Sequence, residues 1–208
     1  MGRLIATGGL PHTEVLAEGN ELVVSAWDIL SGDVEPGRNV LFYDDVGDYA
    51  ALQAAEKIAA TGAKVEIMTR DRTFAPEVMA MSLTPSMRIL QQHDVTFTVA
   101  WKLDAARRDG NELLARIGSD YGGFSRERRV DQIVVNHGTR PLDDVYFEMK
   151  PASRNGGAVD YEALVAGQPQ AVVSNPEGTY ELYRIGDAVS DRNSHAAIYD
   201  ALRLVRMI

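Results

Sequence analysis

Asn39-Val40-Leu41-Phe42-Tyr43-Asp44-Asp45, residues 48–61, and then Gly62-Ala63-Lys64-Val65-Glu66-Ile67-Met68-Thr69 form the stretch that decides the fold. The unbroken apolar run at 39–43 suits a strand covered on both faces. Across 48–61, Ala51, Leu52, Ala55, Ile58 and Ala59 recur at helical spacing, which predicts a helix with one buried face. Gly62 supplies the stop. Lys64–Thr69 predicts a second strand, near enough in sequence for a right-handed parallel crossover.

Outward from this βαβ unit, Glu35-Pro36-Gly37 is a turn signal that sets a lobe boundary. Upstream, residues 3–7 read as a strand broken by Gly8-Gly9-Leu10-Pro11. Glu21–Ser25 reads as a strand, and Ala26–Leu30 as a helical turn. Downstream, residues 76–92 predict one or two helices interrupted near Thr84-Pro85. Val95–Trp101 and Glu112–Ile117 predict strands, the second entered from an Asp109-Gly110-Asn111 turn that implies antiparallel pairing. The basic Arg126-Glu127-Arg128-Arg129 leads into a strand over Val130–Val135. Pro151–Gly157 reads as loop, 160–166 as a short helix, 179–185 as the last strand and 194–206 as a closing helix. The strand exit at Asn136-His137-Gly138-Thr139-Arg140-Pro141 echoes Ala6-Thr7-Gly8-Gly9-Leu10-Pro11, which suggests one lobe inserted into another. The expected fold is α/β: a Rossmann-like lobe over 37–141, inserted into a truncated lobe made of 1–36 and 142–208.

Composition narrows the partners. A net charge of −9 argues against nucleic acid or an anionic membrane, which demand clustered Lys and Arg. No apolar run reaches the ~20 residues of a membrane span, and the N-terminus lacks a signal-peptide pattern. The absence of cysteine removes disulfides, thiolate nucleophiles and cysteine-held iron–sulfur clusters. These features fit a cytoplasmic setting.

The candidate chemistry lies in turns. Tyr183-Arg184-Ile185-Gly186-Asp187 reads as a buried strand entering a sharp turn, with Asp187 placed to accept hydrogen bonds from a ribose or ribityl hydroxyl. The next helix, opened by Asn193 or Ser194, directs free N–H groups at a phosphate or flavin carbonyl. By contrast, the loop Asp44-Asp45-Val46-Gly47-Asp48 has one glycine and three carboxylates where a dinucleotide lobe carries its glycine-rich phosphate loop. That disfavours NAD(P), and solvated capping is the expected role of these carboxylates. Arg70 and Arg72 are expected to pair with Asp71 or Glu77. His12, His93, His137 and His195 lack paired metal-ligand spacing, so no metal site is expected. His195, in the first turn of the last helix, is a ligand contact or an exposed cap. The run at 126–129 reads as a charged strand edge that discourages aggregation, or as a docking patch.

Taken together, several segments carry a resemblance: Ala6–Pro11, Val40–Asp45, Gly62–Thr69, Val134–Pro141, Arg184-Ile185-Gly186-Asp187-Ala188-Val189 and Ala197–Arg203. The chain resembles the C-terminal portion of the trimethylamine dehydrogenase-like NADH:flavin oxidoreductases, which include 2,4-dienoyl-CoA reductase, histamine dehydrogenase and dimethylglycine demethylases. Members of that family look like an FMN-bearing barrel, a 4Fe-4S segment and two nucleotide-type lobes, and this chain lacks the barrel and the cluster. The resemblance implies a nucleotide-lobe subunit or fragment of an amine-demethylating or enoate-reducing flavoprotein, without catalysis of its own. It implies FAD or ADP as cofactor, shared with a partner. Thr7, Gly8, Gly186 and Asp187 are the cofactor-binding positions carried over, and no catalytic residue is. The partners implied are a barrel-containing FMN/4Fe-4S flavoprotein subunit, an electron-transfer flavoprotein, or a second copy of the chain. Two other readings are a non-catalytic oligomerisation or electron-transfer-flavoprotein docking module that has lost nucleotide binding, and an autonomous NAD(P)-dependent reductase, which the carboxylate-rich loop opposes.

Overall fold

The computed structural model describes Met1–Ile208 and divides the chain into two units, Met1–Leu10 with Thr139–Ile208, and Pro11–Gly138. In chain order the elements are β1 (Gly2–Ile5), β2 (Gly9–Pro11), β3 (Val23–Ser25), α1 (Ala26–Ser31), β4 (Asn39–Asp44), α2 (Tyr49–Ala60) and β5 (Lys64–Thr69). Next come α3 (Ala80–Gln92), β6 (Thr96–Thr98), β7 (Lys102–Asp109), β8 (Glu112–Gly118), β9 (Ser125–Val130) and β10 (Gln132–Asn136). The chain ends with β11 (Thr139–Pro141), α4 (Asp144–Met149), α5 (Tyr161–Ala166), β12 (Glu181–Arg184) and α6 (Ser194–Val205).

The Pro11–Gly138 unit is built on a parallel sheet of order β3-β10-β4-β5-β6. Its central strands are apolar on both faces because both faces are covered. Val40, Phe42, Val65, Ile67 and Val134 pack against Ile29 of α1, Leu52, Ala55 and Ile58 of α2 and Leu90 of α3. Leu41, Tyr43, Met68, Ile133 and Val135 pack instead against Leu103, Leu113, Ala115, Ile117 and Val130 of an antiparallel sheet β7-β8-β9. Phe42, Leu41 and Ile58 are fully buried; each such side chain contributes about 1.5–3 kcal/mol by leaving water.

Three local expectations are corrected. The parallel sheet takes in Val23–Ser25 through the β3–β10 pairing, so its unit begins upstream of the boundary drawn at 37. Pro85 does not interrupt α3, which runs from Ala80 to Gln92 with the proline inside. The ring removes a donor to the carbonyl of Met81, an 85% exposed residue, while the Thr84 hydroxyl donates to the Ala80 carbonyl at 2.9 Å. Only Leu90 of this helix is fully buried, so little packing depends on an ideal first turn. The strand read over Val130–Val135 is two: β9 ends at Val130 and β10 begins at Gln132, while the run 126–129 lies in β9, a charged sheet edge as expected, with Arg128 paired to Glu66 at 2.8 Å and Arg129 to Asp109 at 2.5 Å.

The other unit is smaller. β1 and β12 pair in parallel, Ile5 opposite Arg184. The far edge of β12 is taken by a side chain: Asn155, with no exposure, accepts from the Leu182 N–H at 2.8 Å and donates to the Leu182 carbonyl at 2.9 Å. Its amide imitates a neighbouring strand and satisfies a buried backbone pair. Leu4, Tyr183, Ile185, Leu164 and Leu204 close the core between the strands, α5 and α6. Helix α4 has no counterpart in the sequence expectation.

Candidate functional site

The end of β12 carries a tight turn. Gly186 takes φ 60°, and a Cβ there would stand 3.2 Å from the Ala197 Cβ of α6, so glycine serves both the backbone conformation and the close helix approach. The turn Gly186–Ala188 is closed by the Gly186 carbonyl, which accepts from Val189 at 2.8 Å and Ser190 at 3.3 Å. Asn193 caps α6, its side chain accepting from Ala196 at 2.9 Å. The Ser194 and His195 amides are left without intrahelical acceptors, as first-turn amides are.

Between this turn, the end of β1 and the start of α6 lies a cleft of about 350 Å³, lined by Ala6, Gly8, Ile185, Gly186, Asp187, Arg192, Asn193, Ser194, Ala197 and Ile198. Three of the four expected site residues, Gly8, Gly186 and Asp187, thus meet across one cleft. Thr7 is not on its wall: the Thr7 hydroxyl donates to the Leu142 carbonyl and is spent on the chain itself. Asp187 is half-buried, and its carboxylate holds no ion pair or hydrogen bond within the chain. Arg192 is tethered by Asp200. The cleft therefore offers one free acceptor, one fixed cation and a helix N-terminus, with apolar walls from Ile185 and Ile198. His195 is exposed and does not line it. Arg192 carried no signal in the sequence beyond its nearness to the Asn193 cap, and Ile198 none beyond its place in the Ala197–Arg203 segment.

In the other unit, the tips of β4 and β10 adjoin at the position where a parallel α/β sheet takes its ligand. Here the expectation of solvated carboxylates fails for Asp44, which has no exposure. Its Oδ1 accepts from Gly47 at 2.9 Å, Val46 at 3.1 Å and the Asn136 amide at 3.1 Å. Its Oδ2 is buried without a partner. Burial outweighs these bonds and pushes the carboxyl up from 3.8 to about 6. Asp48 accepts from the Ala51 amide at 3.1 Å and from Asn136 at 3.0 Å. The lone glycine is sterically required: at φ 76°, a Cβ on Gly47 would lie 2.3 Å from the Pro76 ring. The loop and helix amides that grip phosphate in open crevices are therefore already held by internal carboxylates. His137 is buried against the Tyr43 ring, 5.3 Å between centroids, with its Nδ1 3.5 Å from Asp45. Burial also raises the Tyr43 phenol above its usual range.

Arg70 pairs with Asp120 at 2.8 Å rather than with Asp71 or Glu77, and Lys102 meets the same carboxylate at 2.9 Å. The two cations hold Asp120 below the ordinary carboxylate range. No group of His, Cys, Asp and Glu residues has the arrangement of a metal site. No helix is long and apolar enough to cross a membrane.

The sheet order and the strand-to-turn exits define an α/β, Rossmann-like nucleotide-binding fold. No family model matches the chain. It is 66% identical over 205 residues to a probable N-methylproline demethylase of Rhizobium meliloti, covering 99% of this chain and 30% of that protein. It is 41% identical to an N,N-dimethylglycine/sarcosine dehydrogenase of Chromohalobacter salexigens, covering 98% of this chain and 31% of the relative. The chain thus spans about a third of the length of these curated relatives. Among solved structures, histamine dehydrogenase from Rhizobium sp. 4-9 aligns at TM-score 0.71 and 19% identity, over 98% of this chain and 30% of that one. Thioredoxin reductase from T. acidophilum aligns at TM-score 0.63 and 15% identity, over 98% of this chain and 64% of that one, a likeness of fold.

Proposed function

We propose that this chain is the nucleotide-lobe part of a flavin-dependent amine-demethylating oxidoreductase of the trimethylamine dehydrogenase-like family, and that its Met1–Leu10/Thr139–Ile208 unit binds an adenine nucleotide, FAD or ADP. The observation that carries this reading is the cleft that joins Gly8, Gly186 and the unpaired Asp187 beneath the first turn of α6. A phosphate or flavin carbonyl gains from the α6 amides and dipole, and a ribose or ribityl hydroxyl donates to Asp187. The cleft volume falls in the ~300–1,000 Å³ range of small-molecule sites. Bound FAD would supply electron-carrying chemistry; the chain's own residues supply binding and orientation.

Oxidation of an N-methylated amino acid, the substrate class in the relatives' names, is assigned to a barrel-bearing flavoprotein part outside these residues. The other unit favours a second role. With its loop amides consumed by Asp44 and Asp48, it serves as a docking and packing element rather than an NAD(P) site. Calorimetric titration of the purified chain with ADP, FAD and NADH, with visible spectra for the flavin, tests both assignments. The expected result is saturable binding of ADP or FAD and none of NADH. Absence of binding by all three overturns the nucleotide assignment and leaves the interaction module.

A further inference from the structure

Arg184 belongs to β12 yet makes most of its contacts outside the sheet. Its guanidinium pairs with Asp143, donates to the Ala188 carbonyl at 3.2 Å, and lies 4.7 Å from the Tyr146 ring centroid and 5.4 Å from that of Phe147. Each contact belongs to a different piece of the cleft's support. Ala188 closes the turn that presents Asp187. Asp143 follows Leu142, whose N–H donates to the Gly8 carbonyl at 3.0 Å and whose carbonyl accepts from the Thr7 hydroxyl. The rings belong to α4, whose Tyr146 is buried against Tyr180 and Leu182 and donates to the Gly157 carbonyl at 2.8 Å, while Val145 and Phe147 are exposed.

From this we infer that Arg184 is a positioning residue: a strut that fixes the Gly186–Ala188 turn relative to the Thr7–Gly8 turn and so sets the width of the cleft. The role suits arginine. Its planar guanidinium stacks on aromatic rings while its edge N–H groups address a carboxylate and a carbonyl together. The side chain is 27% exposed, so the ion pair alone is worth little as stability; its value lies in direction. The functional half of this inference rests on the nucleotide reading of the same cleft, whereas the geometric half does not.

Hydrogen exchange and ADP titration on the 208-residue chain separate the two. In R184M, exchange at the Val189 and Ser190 amides is expected to rise at least tenfold, with the Leu182 amide, held by Asn155, unchanged. ADP affinity is expected to fall at least tenfold. R184K, which keeps the charge beside Asp143, is expected to stay within threefold of the parent in both readouts. D143N, expected to lose three- to tenfold, makes the same comparison if R184M does not fold. Asp160→Ala, which deletes the side-chain cap of α5 in the same unit, is the control for general destabilisation and is expected to leave both readouts unmoved. Unchanged exchange at Val189 and Ser190 in R184M, or an equal effect of Asp160→Ala, overturns the inference. Faster exchange without any ADP binding by the parent chain overturns the nucleotide reading and leaves the strut standing.

Discussion

Replacing Asp44 by Asn should stabilise the Pro11–Gly138 unit above neutral pH and leave it nearly unchanged in acid. The carboxyl is raised from 3.8 to about 6 because burial outweighs three hydrogen bonds to Oδ1. At about 1.4 kcal/mol per pH unit, the ionised side chain is about 3 kcal/mol less favourable in the native state than in the unfolded chain. The sign follows from the raised native value. Below pH 3.8 the group is protonated in both states and imposes no penalty. The penalty grows as pH rises to about 6 and is constant beyond. Asparagine keeps the carbonyl oxygen for Val46 and Gly47, but puts an amide nitrogen where Oδ2 now has no partner, at a cost of about 1 kcal/mol. The net expectation is a gain of about 2 kcal/mol at pH 8 and a loss of about 1 kcal/mol or less at pH 4. Guanidinium unfolding from pH 4 to 8, read by tryptophan fluorescence, measures the difference. The chain's two tryptophans, Trp27 and Trp101, both lie in this unit. A difference that stays flat across the range would show that Asp44 does not titrate there, and refute the reasoning.

Further outcomes follow from other sites. Asn155→Ala strands the buried Leu182 amide and carbonyl and should destabilise the Met1–Leu10/Thr139–Ile208 unit by about 2–4 kcal/mol; a far-UV melt should show it while the tryptophan-reported transition stays in place. Gly186→Ala meets both a positive φ and the Ala197 contact, for a loss of about 1–3 kcal/mol and at least tenfold weaker ADP binding by calorimetry. Phe42→Ala, at a fully buried site, should cost about 3–5 kcal/mol in the fluorescence-detected denaturant transition.

How much of this was legible in the chain depended on how each segment is held. The β4-α2-β5 unit was readable almost to the residue because Val40–Tyr43, and Ala51, Leu52, Ala55, Ile58 and Ala59 on one face of α2, follow the simplest rules of period and burial. Helix α4 was not. Asp144–Met149 buries only Tyr146, and its partners there, Gly157, Tyr180 and Arg184, all come from distant parts of the chain. The charged edge at 126–129 was legible, but its partners were not, since Arg128 and Arg129 find acidic residues on other strands that no local pattern discloses. For the cleft, Gly8 and Gly186 were visible because turns of positive φ select glycine. The partner of Thr7 was not legible, because a hydroxyl beside such a turn looks alike whether it faces a ligand or, as here, the Leu142 carbonyl of its own chain. Asp44 read as a surface cap, and only the sheet, by bringing Asn136 beside it, reveals it as buried.

The nucleotide assignment is tested most directly by following backbone amide resonances of the isotope-labelled chain during an ADP titration. The account predicts saturable shifts concentrated at Ala6–Gly8, Gly186–Asp187 and Ser194–Ile198, with Val46–Asp48 unmoved. Shifts at Val46–Asp48 alone, or none anywhere at millimolar ADP, would contradict it.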